Sequence, residues 1–140
     1  MNPTYDLELV EDITKALNGE YTAINCYAKL AELAPSQEER ERILEIRQDE
    51  MRHFQAFSGI YMSLTGREPS PEIIEDCPVR YVPGLDASIK DEQMAVELYH
   101  TIARKARHPY IKQQFTAASA DEQNHAVWFL YFYTRWCCEK

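Results

Sequence analysis

The sequence lacks a segment long enough to cross a membrane, a cluster of basic residues and a cysteine motif typical of zinc binding. Its longest apolar run, residues 126–133, is far too short to span a bilayer, so we expect no membrane association. The formal net charge of −8 argues against binding to nucleic acid. The first residues contain no basic or apolar signal region, so we expect a cytoplasmic protein.

The four cysteines, Cys26, Cys77, Cys137 and Cys138, form no CxxC pair and no regular framework. We therefore interpret them as reduced thiols rather than as a zinc site or a disulfide scaffold. For the adjacent Cys137 and Cys138 we expect no function, and a redox or intermolecular role is the alternative.

The length of 140 residues suits one domain, and a composition of 45% hydrophobic and 27% charged residues is typical of a globular protein. Hydrophobic residues recur at helical spacing in four segments, which predict helices at about 6–34, 36–65, 87–107 and from 109 onward. We predict an all-α four-helix bundle that forms a single domain over residues 1–140. Its two related hairpins are expected at about 6–65 and 86–138.

Specific residues support these helix boundaries. Ser36 and Glu39 form a capping box at the start of the second helix, and Pro109 suits the first turn of the fourth. Residues 66–84 contain four prolines and predict an irregular connection, long enough to run along the bundle. Asp86 or Ser88 is expected to cap the third helix.

Two copies of a Glu-x-x-His motif stand out in this pattern, Glu50 with His53 and Glu122 with His125. Three residues on an α-helix correspond to a rotation of about 300° and a rise of about 4.5 Å, so both side chains leave the same face. That spacing is suited to binding one metal ion from a single helix.

Each motif has a glutamate partner thirty residues earlier, Glu20 before Glu50 and Glu92 before Glu122. Residues equidistant from a hairpin turn lie at the same level of adjacent antiparallel helices. In all four helices these glutamates and histidines interrupt otherwise apolar inward stripes. The sequence therefore predicts four glutamates and two histidines at one level of the core.

Four ionised carboxylates at one level of an apolar core repel one another, and burial disfavours the charge of each. Two divalent cations would balance them, and this ligand set is that of di-iron and di-manganese carboxylate bundles. We predict that Glu50 and Glu122 bridge two metal ions, that Glu20 and His53 complete one end, and that Glu92 and His125 complete the other. A single exposed Glu-x-x-His pair would be the alternative, but two inward copies with matched partners favour the metal site.

Four further residues are candidates to support these ligands. Tyr27 and Tyr99 lie seven residues after Glu20 and Glu92 and are expected to hydrogen-bond a ligand carboxylate, or else to be core aromatics only. Asp49 and Asp121 are expected to bind the outer nitrogen of a ligand histidine, or else to lie on a solvated face.

The six ligand positions resemble those of the ferritin-like superfamily, and within it those of the rubrerythrin and bacterioferritin branch. The resemblance spans Glu20 to His125. It implies an iron-loaded site that reacts with peroxide or oxygen, a long crossover between the second and third helices, and a redox role for Glu20, Glu50, Glu92 and Glu122.

This chain departs from the pattern of the resembled proteins in several ways. Ala95 stands where rubrerythrins often carry an extra glutamate, and no rubredoxin-like segment with two cysteine pairs is present, so we expect a separate electron donor. Met51 occupies the place of a haem ligand in bacterioferritins, but a methionine on a helix flank more often packs, and we expect no haem. The extra C-terminal helix of storage cages is also missing.

We therefore expect two iron ions per chain, with manganese as the alternative metal, in an oxidoreductase that reduces hydrogen peroxide or oxidises Fe(II) in oxidative-stress protection. Iron storage in a cage is the main alternative, and a structural role with a vestigial site is a third. Apolar residues at 127–133 and Trp136 exceed what one core stripe can bury, so we expect at least a homodimer. An aromatic cap on the bundle's own end is the other interpretation.

Overall fold

The computed structural model describes residues 3–138, with side chains described from residue 7 onward. Within this range the chain forms four helices and no strand. They are α1 (Pro3–Leu33), α2 (Gln37–Thr65), α3 (Tyr81–Lys105) and α4 (Pro109–Trp136). Helix α1 packs mainly on α2 and α3 mainly on α4, while α1 also contacts α3 and α2 contacts α4. This confirms the predicted all-α four-helix bundle, with residues 66–80 as the long crossover.

The helix signals read from the sequence act as expected at the starts of α2 and α4, and a glycine ends α2. The hydroxyl of Ser36 accepts a hydrogen bond from the N–H of Glu39 over 3.2 Å. Gly66 adopts φ 72°, a left-handed conformation that costs glycine little. Pro109 occupies the first turn of α4, where its missing N–H breaks no hydrogen bond.

The start of α3 differs from the prediction, because the helix begins at Tyr81 rather than at 87. Pro83 lies in the first turn, where a proline is tolerated, so it does not delay the helix. Asp86 and Ser88 are therefore not caps. Asp86 forms an ion pair with Lys90, and the hydroxyl of Ser88 donates to the carbonyl of Gly84.

The apolar core forms two clusters on either side of the predicted ligand level. One cluster includes Leu17 of α1 and Ala118 of α4. The other includes Tyr27 of α1 and Phe129 of α4. In both helices the predicted ligands lie between these positions, so apolar packing closes the level from both ends.

The crossover is fastened to one face of α1 at intervals of four residues. The N–H of Glu72 donates to Asn18 over 2.9 Å, and that of Ile74 donates to Thr22 over 3.0 Å. At the next such position Cys26 forms a disulfide with Cys77.

The prediction that all four cysteines are reduced thiols is therefore wrong for Cys26 and Cys77. The backbone hydrogen bonds to α1 bring the two Cα atoms to 5.2 Å, within the range that a disulfide needs. Their separation of 51 residues gave no sign of this pairing in the sequence. Cys137 and Cys138 are free and exposed.

The end of α4 has a buried aromatic side and an exposed apolar side. Phe129 and Phe132 are fully buried in the chain's own core, and the indole N–H of Trp136 donates to the buried Glu39. Tyr131 is 47% exposed and Leu130 49% exposed, so an apolar face is left uncovered beside them. None of the described helices is long and apolar enough to cross a membrane.

Candidate metal centre

The six predicted ligands meet at one level of the bundle, one from each of α1 and α3 and two from each of α2 and α4. All are buried, with relative exposures of 1–2% for the glutamates and 6% or less for the histidines. They are Glu20 on α1, Glu50 and His53 on α2, Glu92 on α3, and Glu122 and His125 on α4. The bundle therefore brings together every residue that was predicted to bind metal.

Among the described residues, these side chains form two groups whose potential ligand atoms lie within 4.8 Å of one another. Both groups contain Glu50 and Glu122. The first group adds Glu20 and His53, and the second adds Glu92 and His125. Two adjacent sites joined by two carboxylates is the arrangement predicted from the sequence.

One oxygen of each glutamate is buried without a hydrogen-bond partner. These are the Oε1 atoms of Glu20, Glu50, Glu92 and Glu122, and the Nδ1 atom of His125 is likewise unpartnered. A buried polar atom left in this state costs about 1–3 kcal/mol, more if charged. Bound cations would satisfy all of these atoms at once, so the residues fit a pair of metal ions.

The other oxygens of the two terminal glutamates are held by tyrosines from the opposite hairpin. The hydroxyl of Tyr27 donates to Oε2 of Glu92, and that of Tyr99 donates to Oε2 of Glu20, each over 2.6 Å. Burial is the largest of the effects that raise the pKa of both tyrosines well above the usual value, so both keep the proton that they donate. Each terminal glutamate is thereby oriented with its free oxygen toward the centre.

Each ligand histidine is oriented by an aspartate from the opposite hairpin. The Nε2 atom of His53 lies 2.8 Å from Oδ2 of Asp121, and that of His125 lies 2.8 Å from Oδ2 of Asp49. An aspartate at Nε2 favours a proton on that nitrogen and leaves Nδ1 to face the carboxylates. Asp49 also forms an ion pair with Arg52.

The carboxyl groups have strongly perturbed pKa values. Burial, reinforced by the neighbouring Glu122, raises the pKa of Glu20 to about 7 and that of Glu92 to about 8. Burial and the charges of the other glutamates raise the pKa of Glu50 well above its usual value. Glu122 is the exception: burial would raise its pKa, but the imidazoles of His125 and His53, whose Nδ1 atoms lie 3.2 Å and 3.4 Å from its Oε1 atom, outweigh burial and lower it to about 2.

The two histidines show the complementary shift. Burial would lower the pKa of an imidazole, but the carboxylates of Glu122 and Glu20, 3.4 Å and 3.1 Å from its Nδ1 atom, raise the pKa of His53 to about 11. The carboxylates of Glu122 and Glu92, 3.2 Å and 3.5 Å from Nδ1 of His125, likewise raise its pKa to about 11. The cluster thus requires positive charge, which either protons or metal ions can supply.

A cavity of about 420 Å³ opens between α1 and α3 and reaches all four glutamates. Small residues form part of its wall, including Ala16, Gly19 and Ala23 of α1. Ala95 also lines the cavity. Because this position has no carboxylate side chain, the space beside the centre stays open. The crossover contributes Ile74 and Pro78 to the outer wall.

This cavity, with Cys26 in its wall, was not predicted from the sequence. The signal that could have indicated the cavity is the recurrence of small residues on α1 at intervals of three and four. Met51 of α2 is 40% exposed.

Comparison with known proteins gives three matches. A family model described as rubrerythrin matches residues 84–137, a segment that contains Glu92, Glu122 and His125. YhjR, an uncharacterized protein of Bacillus subtilis (strain 168), is 50% identical over 127 residues, which are 91% of this chain and 88% of that protein. A hypothetical protein from Pyrococcus furiosus has a similar structure, with a TM-score of 0.78 over 90% of this chain and 88% of that one. Its sequence identity of 19% limits that comparison to the fold.

Proposed function

The chain belongs to the rubrerythrin family of ferritin-like proteins, and we propose that its centre binds two iron ions and reduces hydrogen peroxide. The observation that carries the proposal is the pair of ligand groups that share Glu50 and Glu122, with one unpartnered oxygen on each of the four glutamates. Manganese is the alternative metal, since carboxylate and imidazole ligands suit both.

Two Fe(II) ions would supply the two electrons that cleavage of the peroxide O–O bond requires. The residues of the chain hold the ligands in place for that reaction. Tyr27 and Tyr99 fix the terminal glutamates, and Asp49 and Asp121 fix the histidines. Carboxylates held from one side only can shift their free oxygens as the charge of the centre changes.

The cavity between α1 and α3 is the proposed route of the oxidant. Its volume of about 420 Å³ far exceeds that of a peroxide molecule, and it ends at the glutamates. The apolar clusters on both sides of the ligand level limit the access of water from other directions. We expect electrons for repeated turnover to come from a separate donor protein or reductant, in the cytoplasm.

Oxidation of Fe(II) for iron storage is the second candidate, and one observation favours it. Glu75 and Asp91 are exposed and line the same cavity, so its mouth carries acidic groups that attract Fe²⁺. Storage also requires a hollow assembly, whereas peroxide reduction requires none. The size of the assembly in solution therefore distinguishes the two functions.

Rapid mixing of the Fe(II)-loaded protein with peroxide, and separately with oxygen, tests the proposal. We expect rapid oxidation of the iron by one equivalent of peroxide. Oxidation that is much slower with peroxide than with oxygen would favour the iron-oxidation function. Failure to react with either oxidant, in a protein that has bound iron, would leave a structural metal site.

A further inference from the structure

The Cys26–Cys77 disulfide borders the cavity that leads to the metal centre. Cys26 lines the cavity that reaches Glu20, Glu50, Glu92 and Glu122. It follows Glu20 by six residues on α1, which is about 9 Å along the helix axis. The next residue, Tyr27, is the one that donates to Glu92.

We propose that Cys26 and Cys77 are a redox-active pair that delivers two electrons to the oxidised metal centre. This inference rests on the proposed function, because it requires a centre that peroxide oxidises. The cysteine pair would be an electron donor within the chain, whereas the sequence alone predicts only a separate donor.

The surroundings of Cys77 suit a disulfide that opens and closes. The amide nitrogen of Asn25 donates to the sulfur of Cys77 over 3.4 Å, and such a hydrogen bond stabilises a thiolate once the disulfide is reduced. The backbone bonds from Glu72 and Ile74 to α1 do not depend on the disulfide. They keep the two thiols close, so that the bond can form again within the chain.

The pair is also accessible to an external reductant. Both cysteines are partly exposed, and thiol–disulfide exchange requires that an attacking thiolate reach one of the sulfurs. The buried glutamates and histidines of the centre offer no such access. A thiol reductant can therefore reduce the disulfide without entering the metal site.

The proposed cycle conserves electrons and protons. The Cys26 and Cys77 thiols each lose one proton and one electron, and their sulfurs join, while the two electrons reduce the two oxidised metal ions. Peroxide takes two electrons from the reduced centre and two protons, and leaves as two water molecules. Two thiols of an external reductant then reopen the disulfide by exchange and become a disulfide themselves.

The test counts the peroxide that the reduced chain consumes without any added donor. Cys137→Ser and Cys138→Ser are introduced throughout, so that the exposed thiols at the end of α4 do not contribute. The protein is reduced, freed of reductant, loaded anaerobically with Fe(II) and titrated with hydrogen peroxide. We expect about two equivalents per chain, and about one when Cys26→Ser and Cys77→Ser are added, because a disulfide is a two-electron couple.

A second readout requires no substitution of the pair and no activity assay. After one equivalent of peroxide, free thiols are alkylated and the chains are weighed by mass spectrometry. In the iron-loaded protein we expect Cys26 and Cys77 to have formed the disulfide and to resist alkylation. In the metal-free protein, after the same exposure to peroxide, we expect both to be alkylated. Circular dichroism and iron content check that the serine variants fold and bind metal.

Three results would overturn the inference. If one equivalent oxidises the iron and both thiols stay free, the centre works as proposed but the pair is not its donor. If the thiols oxidise equally fast without metal, the reaction bypasses the centre. If bound iron does not react with peroxide at all, the proposed function fails, and with it the inference built on it.

Discussion

The hydroxyl of Tyr27 on α1 donates to Oε2 of Glu92 on α3 over 2.6 Å, so the first hairpin holds a carboxylate of the second. Replacing Tyr27 by Phe keeps the ring that packs on Phe129 but leaves the Glu92 oxygen unpaired. We expect a loss of about 1–3 kcal/mol in the free energy of unfolding, measured by urea denaturation of the metal-free protein. The matched control is Tyr110→Phe at an exposed position, and an equal effect of both changes would contradict this role.

The aspartates should control metal affinity without binding metal. Asp121→Asn weakens the orientation of His53, whose Nε2 atom lies 2.8 Å from the Asp121 carboxylate. Loss of such a partner typically lowers metal affinity about 10–100-fold, which a competition titration with a chelator measures. Asp86→Asn, which disturbs only an exposed ion pair with Lys90, should leave the affinity unchanged. Equal affinities for the Asp121 variant and the unmodified chain would refute the role of this aspartate.

Metal binding should strengthen as pH rises. The pKa values of Glu20 and Glu92 are raised to about 7 and about 8, and those of His53 and His125 to about 11. These groups must lose protons before they bind metal. We therefore expect weaker affinity at pH 6 than at pH 8, and release of protons on binding, measurable by calorimetry in buffers of different ionisation enthalpy. Binding that is independent of pH would show that the raised pKa values do not govern this site.

The uncovered face of α4 should mediate self-association. Val127, Leu130 and Tyr131 are 57%, 49% and 47% exposed, and an apolar patch of this kind favours a partner. Leu130→Lys should shift a dimer or larger assembly toward monomer in light scattering at micromolar concentration. Leu7→Lys, at a position 57% exposed on α1, is the control. A monomeric unmodified protein would disprove the prediction.

The ligand set was predictable because the same pattern recurs 72 residues later in the chain, from Glu20 to Glu92 and from Glu50 to Glu122. Two hairpins with the same spacing place Glu20 and Glu92, and the two Glu-x-x-His motifs, at one level by helix geometry alone. The tyrosine and aspartate partners of the ligands also lie on these regular helices. Their hydrogen bonds join one hairpin to the other. Which residue pairs with which ligand therefore depends on how the hairpins pack in three dimensions.

The features that escaped prediction lie in or beside the irregular crossover. The prolines of residues 66–84 predict a connection up to residue 84, but α3 begins at Tyr81 because Pro83 is compatible with a first turn. Cys77 meets Cys26 only because the crossover is fastened along α1 by Glu72 and Ile74. No periodic pattern governs such a segment, so the disulfide could not be predicted from spacing.

The number of metal ions per chain tests the central claim most directly. The protein is loaded anaerobically with Fe(II), freed of excess metal and analysed for iron and protein. We predict about two ions per chain, roughly 3.5–4 Å apart by X-ray absorption spectroscopy, and loss of the paired site in Glu50→Ala and in Glu122→Ala, since both groups share these residues. One ion or none per folded chain would contradict the account.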